Sequence, residues 1–286
     1  MQAVRTAGQK QLSGKLNAMA TTAVRYVYAL PFAWAYLALM LSFKQIAVPE
    51  LNSEFLVSAL IACVTQIIGT VLLVAAFRYK NFAVATSLAK TEAIQVAVVG
   101  ALLFAAPLSF MGWFSVIVGV VGVFLVTKVK FSFRNVMAGS DAMTGLAFGL
   151  GAGLGLAITT LLIRESSLAL NTDLMVSAAV TLVFMITVQT FISITYVYLQ
   201  DKSQLGLMLK HWRLCLFVGI TSVLGSIGWF TGASFQTAAY VKALGQVEFF
   251  ITLALTYHLF KEKITAIEYF GMFLIILSVV ILLLWA

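Results

Sequence analysis

The chain has 286 residues, of which 62% are hydrophobic and 10% charged, and its formal net charge is +8. With a mean hydropathy of +1.04, this balance excludes a soluble globular domain, which could not hide so much apolar surface from water. The positive excess is explained by membrane topology and gives no reason to expect nucleic acid as a partner.

Charges fall in short patches between apolar runs of about twenty residues, the length that crosses about 30 Å of hydrocarbon as a helix. A β-barrel would show alternating segments of about ten residues, whereas runs such as 271–285 are apolar at nearly every position. In chain order, nine helical spans are predicted near 18–42, 55–77, 81–104, 108–127, 143–163, 172–199, 212–234, 238–260 and 265–286. One side of the membrane then receives thirteen basic residues: Arg5, Lys10, Lys15, Arg78, Lys80, Lys128, Lys130, Arg134, Lys202, Lys210, Arg213, Lys261 and Lys263. The other side keeps Lys44 and Arg164, while Arg25, Lys90 and Lys242 lie within spans. The positive-inside rule makes the basic side cytoplasmic, in a cell (inner) membrane, with the C-terminus facing outward. Met1–Ala20 has no compact apolar core of a signal peptide.

Cys63 and Cys215 fall inside spans and read as small core residues. There is no His/Cys/carboxylate cluster with ligand spacing, no Ser/His/Asp arrangement and no phosphate loop, so neither metal nor other cofactor is expected. His211 and His258 stand singly near span ends, which disfavours an intramembrane enzyme.

Sliding the chain along itself by 156 positions reveals an internal repeat. Glu92 falls on Glu248, Met19 on Met175, Thr65 on Thr221, Gly69 on Gly225, Ala83 on Ala239, Leu88 on Leu244, Phe104 on Phe260 and Phe114 on Phe270. Apolar identities recur by chance in such a sequence; paired intramembrane glutamates do not. The same shift carries Met1 onto Ala157, deep inside 143–163, so the first half has four spans and the second five. The expectation is a ten-helix pattern short of its first helix, with M-Q-A-V-R-T-A as the tail of that helix. Nine native spans is the alternative. An odd number of helices per half inserts the halves with opposite orientation, the inverted-repeat arrangement of many transporters, with a cavity near the midplane.

A charged side chain at a helix centre costs about 2.5–3.5 kcal/mol on insertion scales, so Lys90, Lys242, Glu92 and Glu248 should face something polar. Lys90 lies one turn beyond Thr86, and Lys242 one turn before Gln246, so each pair shares a helix face. The repeat places Thr86 on Lys242 and Lys90 on Gln246. Lys90 and Lys242 are therefore expected to line the cavity with Thr86, Gln246 and Tyr240, joined by Gln66 and Trp229 from neighbouring spans. Trp229 shares its span with Ser222, the repeat mate of Gln66. Glu92 and Glu248, rotated by about 200° from Lys90 and Gln246, are expected to hold helices together, to neutralise a lysine across the bundle, or to carry a coupling proton. Purely structural Lys–Glu pairing is the alternative for all four. Arg25, about two turns into its span, is expected to snorkel. The series Gly145, Gly149, Gly151, Gly153 and Gly155 permits close helix approach.

Three stretches carry a family resemblance: G-K-L-N-A-M-A-T-T-A-V-R-Y; F-A-V-A-T-S-L-A-K-T-E-A-I-Q with A-A-P-L-S after it; and A-A-Y-V-K-A-L-G-Q-V-E-F-F ending in L-F-K-E-K-I-T. Together they resemble the EamA-type transporters of the drug/metabolite transporter superfamily, over essentially the whole chain. The family often has proline after the fourth-helix glutamate, where this chain has Ala93 and, in the second repeat, Phe249. The resemblance implies an all-α polytopic bundle of two inverted repeats, 1–130 and 143–286 with a linker at 131–142, in four plus five helices where the family has five plus five. It also implies that Lys90 and Lys242 bind the negative group of a metabolite. The expected function is a secondary transporter of a small organic anion or zwitterion, with a nontransporting scaffold or sensor as the alternative. The expected partners are that solute and the bilayer, with a homodimer left open.

Overall fold

The computed structural model describes residues 2–76, 92–104, 108–126, 140–245 and 266–285. Their regular structure is helical: α1 (Gln2–Ser13), α2 (Ala18–Val27), α3 (Leu30–Lys44), α4 (Ser53–Ala76), α5 (Glu92–Leu103), α6 (Phe110–Val126), α7 (Ser140–Ala169), α8 (Leu174–Gln200), α9 (Ser203–Lys210), α10 (Trp212–Phe235), α11 (Ala238–Gly245) and α12 (Ala266–Trp285). Among the described residues, five stretches are long and apolar enough to cross a membrane: Ala18–Lys44, Ser53–Ala76, Ala147–Ala169, Leu174–Gln200 and Trp212–Phe235. Every one of the nine expected spans carries helix.

Two boundaries differ from the sequence reading. The first span is interrupted between α2 and α3, because Pro31 opens α3 without an amide proton and its ring excludes the carbonyl four residues back. The span expected to end at residue 163 runs on to Ala169, so Arg164 sits inside α7 instead of after it. Its guanidinium is satisfied there by the carbonyls of Ala233, at 2.9 Å, and Gln236, at 2.5 Å. These are the free carbonyls at the end of α10, which a cation stabilises.

Helix boundaries repeat with the 156-residue offset. The ends of α1 and α7 (Ser13, Ala169), the starts of α2 and α8 (Ala18, Leu174), the ends of α3 and α8 (Lys44, Gln200) and the starts of α6 and α12 (Phe110, Ala266) are all related by it. So are two N-caps. Asn17 accepts the amide proton of Ala20 at 2.7 Å, and Asp173 accepts those of Met175 and Val176, each satisfying donors that a helix start leaves orphaned. Asp173 also binds Lys44 at 3.0 Å, and this bond, ahead of the amide bonds, holds its carboxyl below the usual carboxylate range.

The chain forms two compact units. One comprises Met1–Ala75 with Ile158–Gln236, the other Ala76–Ala157 with Thr237–Ala286. Each unit thus takes matching segments from both sequence halves.

In the first unit, α10 packs against α1, α2 and α8, and α8 against α2 and α3. Its core includes Leu12, Leu16, Ala20, Ala23, Val24, Val197, Met208, Cys215 and Val218. Gly219 lets α10 reach the backbone at Tyr28: a Cβ there would lie 2.5 Å from the Tyr28 Cβ and 2.6 Å from its carbonyl carbon. Serine and threonine bonds tie the end of α7 to its neighbours, Ser166 to Ser58 at 2.8 Å, Thr159 to Thr65 at 2.9 Å and Ser167 to Ser234 at 2.5 Å. Such interhelical bonds in lipid contribute about 0.6 kcal/mol each on average. Cys63 and Cys215 are free and buried, as expected. Large apolar side chains such as Phe43, Leu39, Phe191 and Leu199 point outward, where a bilayer is the compatible solvent.

In the second unit α6 packs along α12, and α5 against α6 and α11. The Ser115 hydroxyl donates to the Ser278 carbonyl at 2.7 Å, and Ala93, Val116 and Val120 form a small apolar core. On α7, Gly149 and Gly153 are buried one turn apart, consistent with close packing of the glycine series.

Candidate functional site

The first unit has a small, mainly apolar cavity that several polar groups border, lined by Arg25, Tyr26 and Ala29 beside the α2–α3 break, Gln66 of α4, Leu182, Ile186 and Gln189 of α8, and Ser222, Ser226 and Phe230 of α10. It has space for about one water molecule. Both sequence halves contribute. Under the repeat offset, Gln66 corresponds to Ser222 and Tyr26 to Leu182, so equivalent positions meet across one cavity. Thr70, which touches Arg25, corresponds to Ser226.

Arg25 gives the cavity its charge. It is 7% exposed, which corrects the snorkelling expectation. The guanidinium is covered by protein because it donates to the Thr70 hydroxyl at 3.1 Å and lies 5.5 Å from the centre of the Tyr26 ring. A hydrogen bond from a charged donor contributes roughly 1.5–3 kcal/mol and a ring face beneath a cation about 0.5–2 kcal/mol. Neither neutralises the charge, and Arg25 forms no ion pair among the described residues.

Gln189 crosses the floor of the site. Its amide nitrogen donates to Gln66 Oε1 at 2.7 Å and to the Cys63 carbonyl at 3.4 Å, and the second acceptor fixes which way the amide faces. Its Oε1 is thereby left as a buried acceptor without a partner, and the hydroxyls of Tyr26 and Ser222 are also buried and unpartnered. The Tyr26 hydroxyl lies beside Thr70 without hydrogen-bonding geometry. A buried polar group left unmade costs about 1–3 kcal/mol, and a water or another polar group placed in this cavity could satisfy these three.

The residues expected from sequence fall in both units. Gln66 lines the cavity; Trp229 is half-buried, and its neighbour Phe230 is the aromatic of α10 that lines it. In the second unit, Lys242 of α11 is ion-paired with Glu92 of α5 at 2.5 Å, with side chains 12% and 17% exposed, and Tyr240 lies half-buried on α11. Lys90, Thr86, Gln246 and Glu248 lie outside the described residues. Sequence reasoning passed over Tyr26, Thr70, Gln189, Ser222 as a lining group, and Ser226. The available signal was Gln189 within a predominantly apolar span, together with the Thr70–Ser226 repeat pair.

Among the described residues, no group of three or more His, Cys, Asp or Glu side chains could hold a metal ion. A comparison with curated proteins gave no match. One solved structure, named only "Crystal structure of protein", matches with a TM-score of 0.72 and 12% identity, over 99% of this chain and 98% of its own, which shows a shared fold. The model of the EamA-like transporter family matches residues 2–128 and again 143–284. The chain therefore belongs to the EamA-like transporter family, membrane transporters of small molecules, and is a multi-pass integral membrane protein.

Proposed function

We propose that this protein is a secondary transporter that moves a small organic anion or zwitterion across the cytoplasmic membrane by alternating access. The observation that carries this reading is the cavity of the first unit, bordered by Arg25 and polar side chains, to which both repeats contribute equivalent positions. Inverted-repeat transporters bind their solutes at such repeat interfaces, beside interrupted helices, and the α2–α3 break borders this cavity. The space for about one water fits a contracted form of the site; a solute enters when the lining helices part. The preference for an anion or zwitterion rests on Arg25. Glu92 and Lys242 act in this reading as a charge pair that joins α5 to α11.

The test is solute counterflow in proteoliposomes. Vesicles carrying the full chain and preloaded with small carboxylates should accumulate the labelled solute above empty vesicles. Folded, correctly inserted protein that supports no counterflow with any carboxylate of the panel refutes transport and favours a nontransporting scaffold or sensor.

A further inference from the structure

We propose that the cavity around Arg25 binds a single carboxylate of a small solute that also carries a hydrogen-bond donor, a hydroxy- or amino-carboxylate, with Arg25 as its counter-charge. This deepens the transporter reading and rests on it for the widening of the site.

Among the described residues, the first unit supplies Arg25 with no acidic partner. None of its five acidic residues pairs with Arg25: Glu50, Glu54 and Glu165 are exposed, Asp173 binds Lys44, and Asp201 accepts from Ser203 and Gln204. Arg25 nonetheless stays buried, and its guanidinium carries five N–H donors, one of which meets Thr70. A charge held in low dielectric without a counter-ion is costly, and an anionic ligand removes that cost.

The neighbours define the ligand further. The hydroxyls of Tyr26 and Ser222, in residues 1% and 2% exposed, have no partner and can both donate to carboxylate oxygens. Gln189 Oε1, in a residue with 0% exposure, can only accept. It would repel a second anionic oxygen, so it calls for an O–H or N–H on the same solute. Among the described residues Arg25 is the one charged group lining the cavity, so the lining itself matches one negative charge, and a phosphate dianion would bring a second charge that no lining group meets, although buried Arg5 acts on the Tyr26 hydroxyl from outside the lining. Leu182, Ile186 and Phe230 leave an apolar wall for a short side chain.

The experiment measures thermal stabilisation of the full chain in detergent at matched ionic strength, with propionate, lactate, alanine, lactamide and inorganic phosphate as probes. Lactate or alanine should stabilise, propionate less so, and lactamide and phosphate little. Arg25→Gln should abolish the effect. Ser222→Ala and Gln189→Leu should each raise the half-saturating concentration about tenfold, the equivalent of one hydrogen bond of about 1.4 kcal/mol, and Gln189→Leu should also erase the advantage of lactate over propionate. These two variants carry the test if Arg25→Gln does not fold. The proposal is overturned if lactamide matches lactate, if Arg25→Gln keeps wild-type half-saturation, or if no carboxylate stabilises at up to roughly 100 mM, where a millimolar site is saturated. Counterflow separates the two readings: carboxylate transport that survives Arg25→Gln removes this site and leaves the transporter, whereas binding without counterflow removes the transporter and leaves the site.

Discussion

Replacing Lys242 by Met separates a structural charge pair from a substrate counter-charge. The ammonium lies 2.5 Å from Glu92 Oε1, with the two side chains 12% and 17% exposed. Removing one partner of a buried pair strands the other charge, at a cost of about 3–5 kcal/mol. Lys242→Met and Glu92→Leu should therefore each destabilise by roughly that amount, discounted toward the lower figure because some water reaches both groups. The double variant leaves neither charge behind and should sit within about 1 kcal/mol of wild type. The coupling energy of the cycle is then about 5 kcal/mol in magnitude, the two single losses of about 3 kcal/mol each less the small loss of the double variant. The assay is equilibrium unfolding in mixed micelles, read by tryptophan fluorescence, with carboxylate-induced stabilisation measured on the same samples. Additive single effects, or a double variant that folds well but loses carboxylate binding, would refute the structural assignment and return Lys242 to the role that the sequence suggested.

Gly219→Ala should destabilise the first unit by roughly 1–3 kcal/mol, because the added methyl meets Tyr28 backbone and Cβ atoms at 2.5–2.8 Å, whereas Gly206→Ala, with nothing within 4 Å, should be neutral or mildly stabilising in thermal melts. Acid should weaken the join between α3 and α8. Lys44 depresses the Asp173 carboxyl, so its stabilisation is complete above the unfolded value near 4 and is lost as pH falls through the lower folded value; Asp173→Asn should flatten the melting profile in that range and leave neutral-pH behaviour changed by about 1 kcal/mol or less. Cys63 and Cys215 have 0% exposure, so a thiol probe should label neither in the folded protein and both after unfolding, as quantified by mass shift.

The spans were legible because hydrocarbon allows so few solutions: a run of about twenty apolar residues must be a helix. The repeat was legible too, since Glu92 and Glu248 stood out against a greasy background. Arg25 was misread for a definable reason. Its depth along the helix follows from sequence, but whether a long side chain escapes to the interface depends on what covers it, and Thr70 lies forty-five residues away. Gln189 was passed over because an amide in an apolar span signals a polar contact without saying where it is, and its partners, Gln66 and the Cys63 carbonyl, come from another helix. Local periodicity specifies elements; convergence of side chains from α2, α4, α8 and α10 is tertiary.

The sharing of both compact units between the two repeats bears on how the protein can be made. Translated alone, residues 1–130 or 143–286 would carry only part of each unit, so neither product has a finished interior to stop it aggregating. Coexpressed as separate polypeptides, the two should rescue one another by interlocking, and yields from such a split gene would report how much cohesion crosses from one repeat to the other.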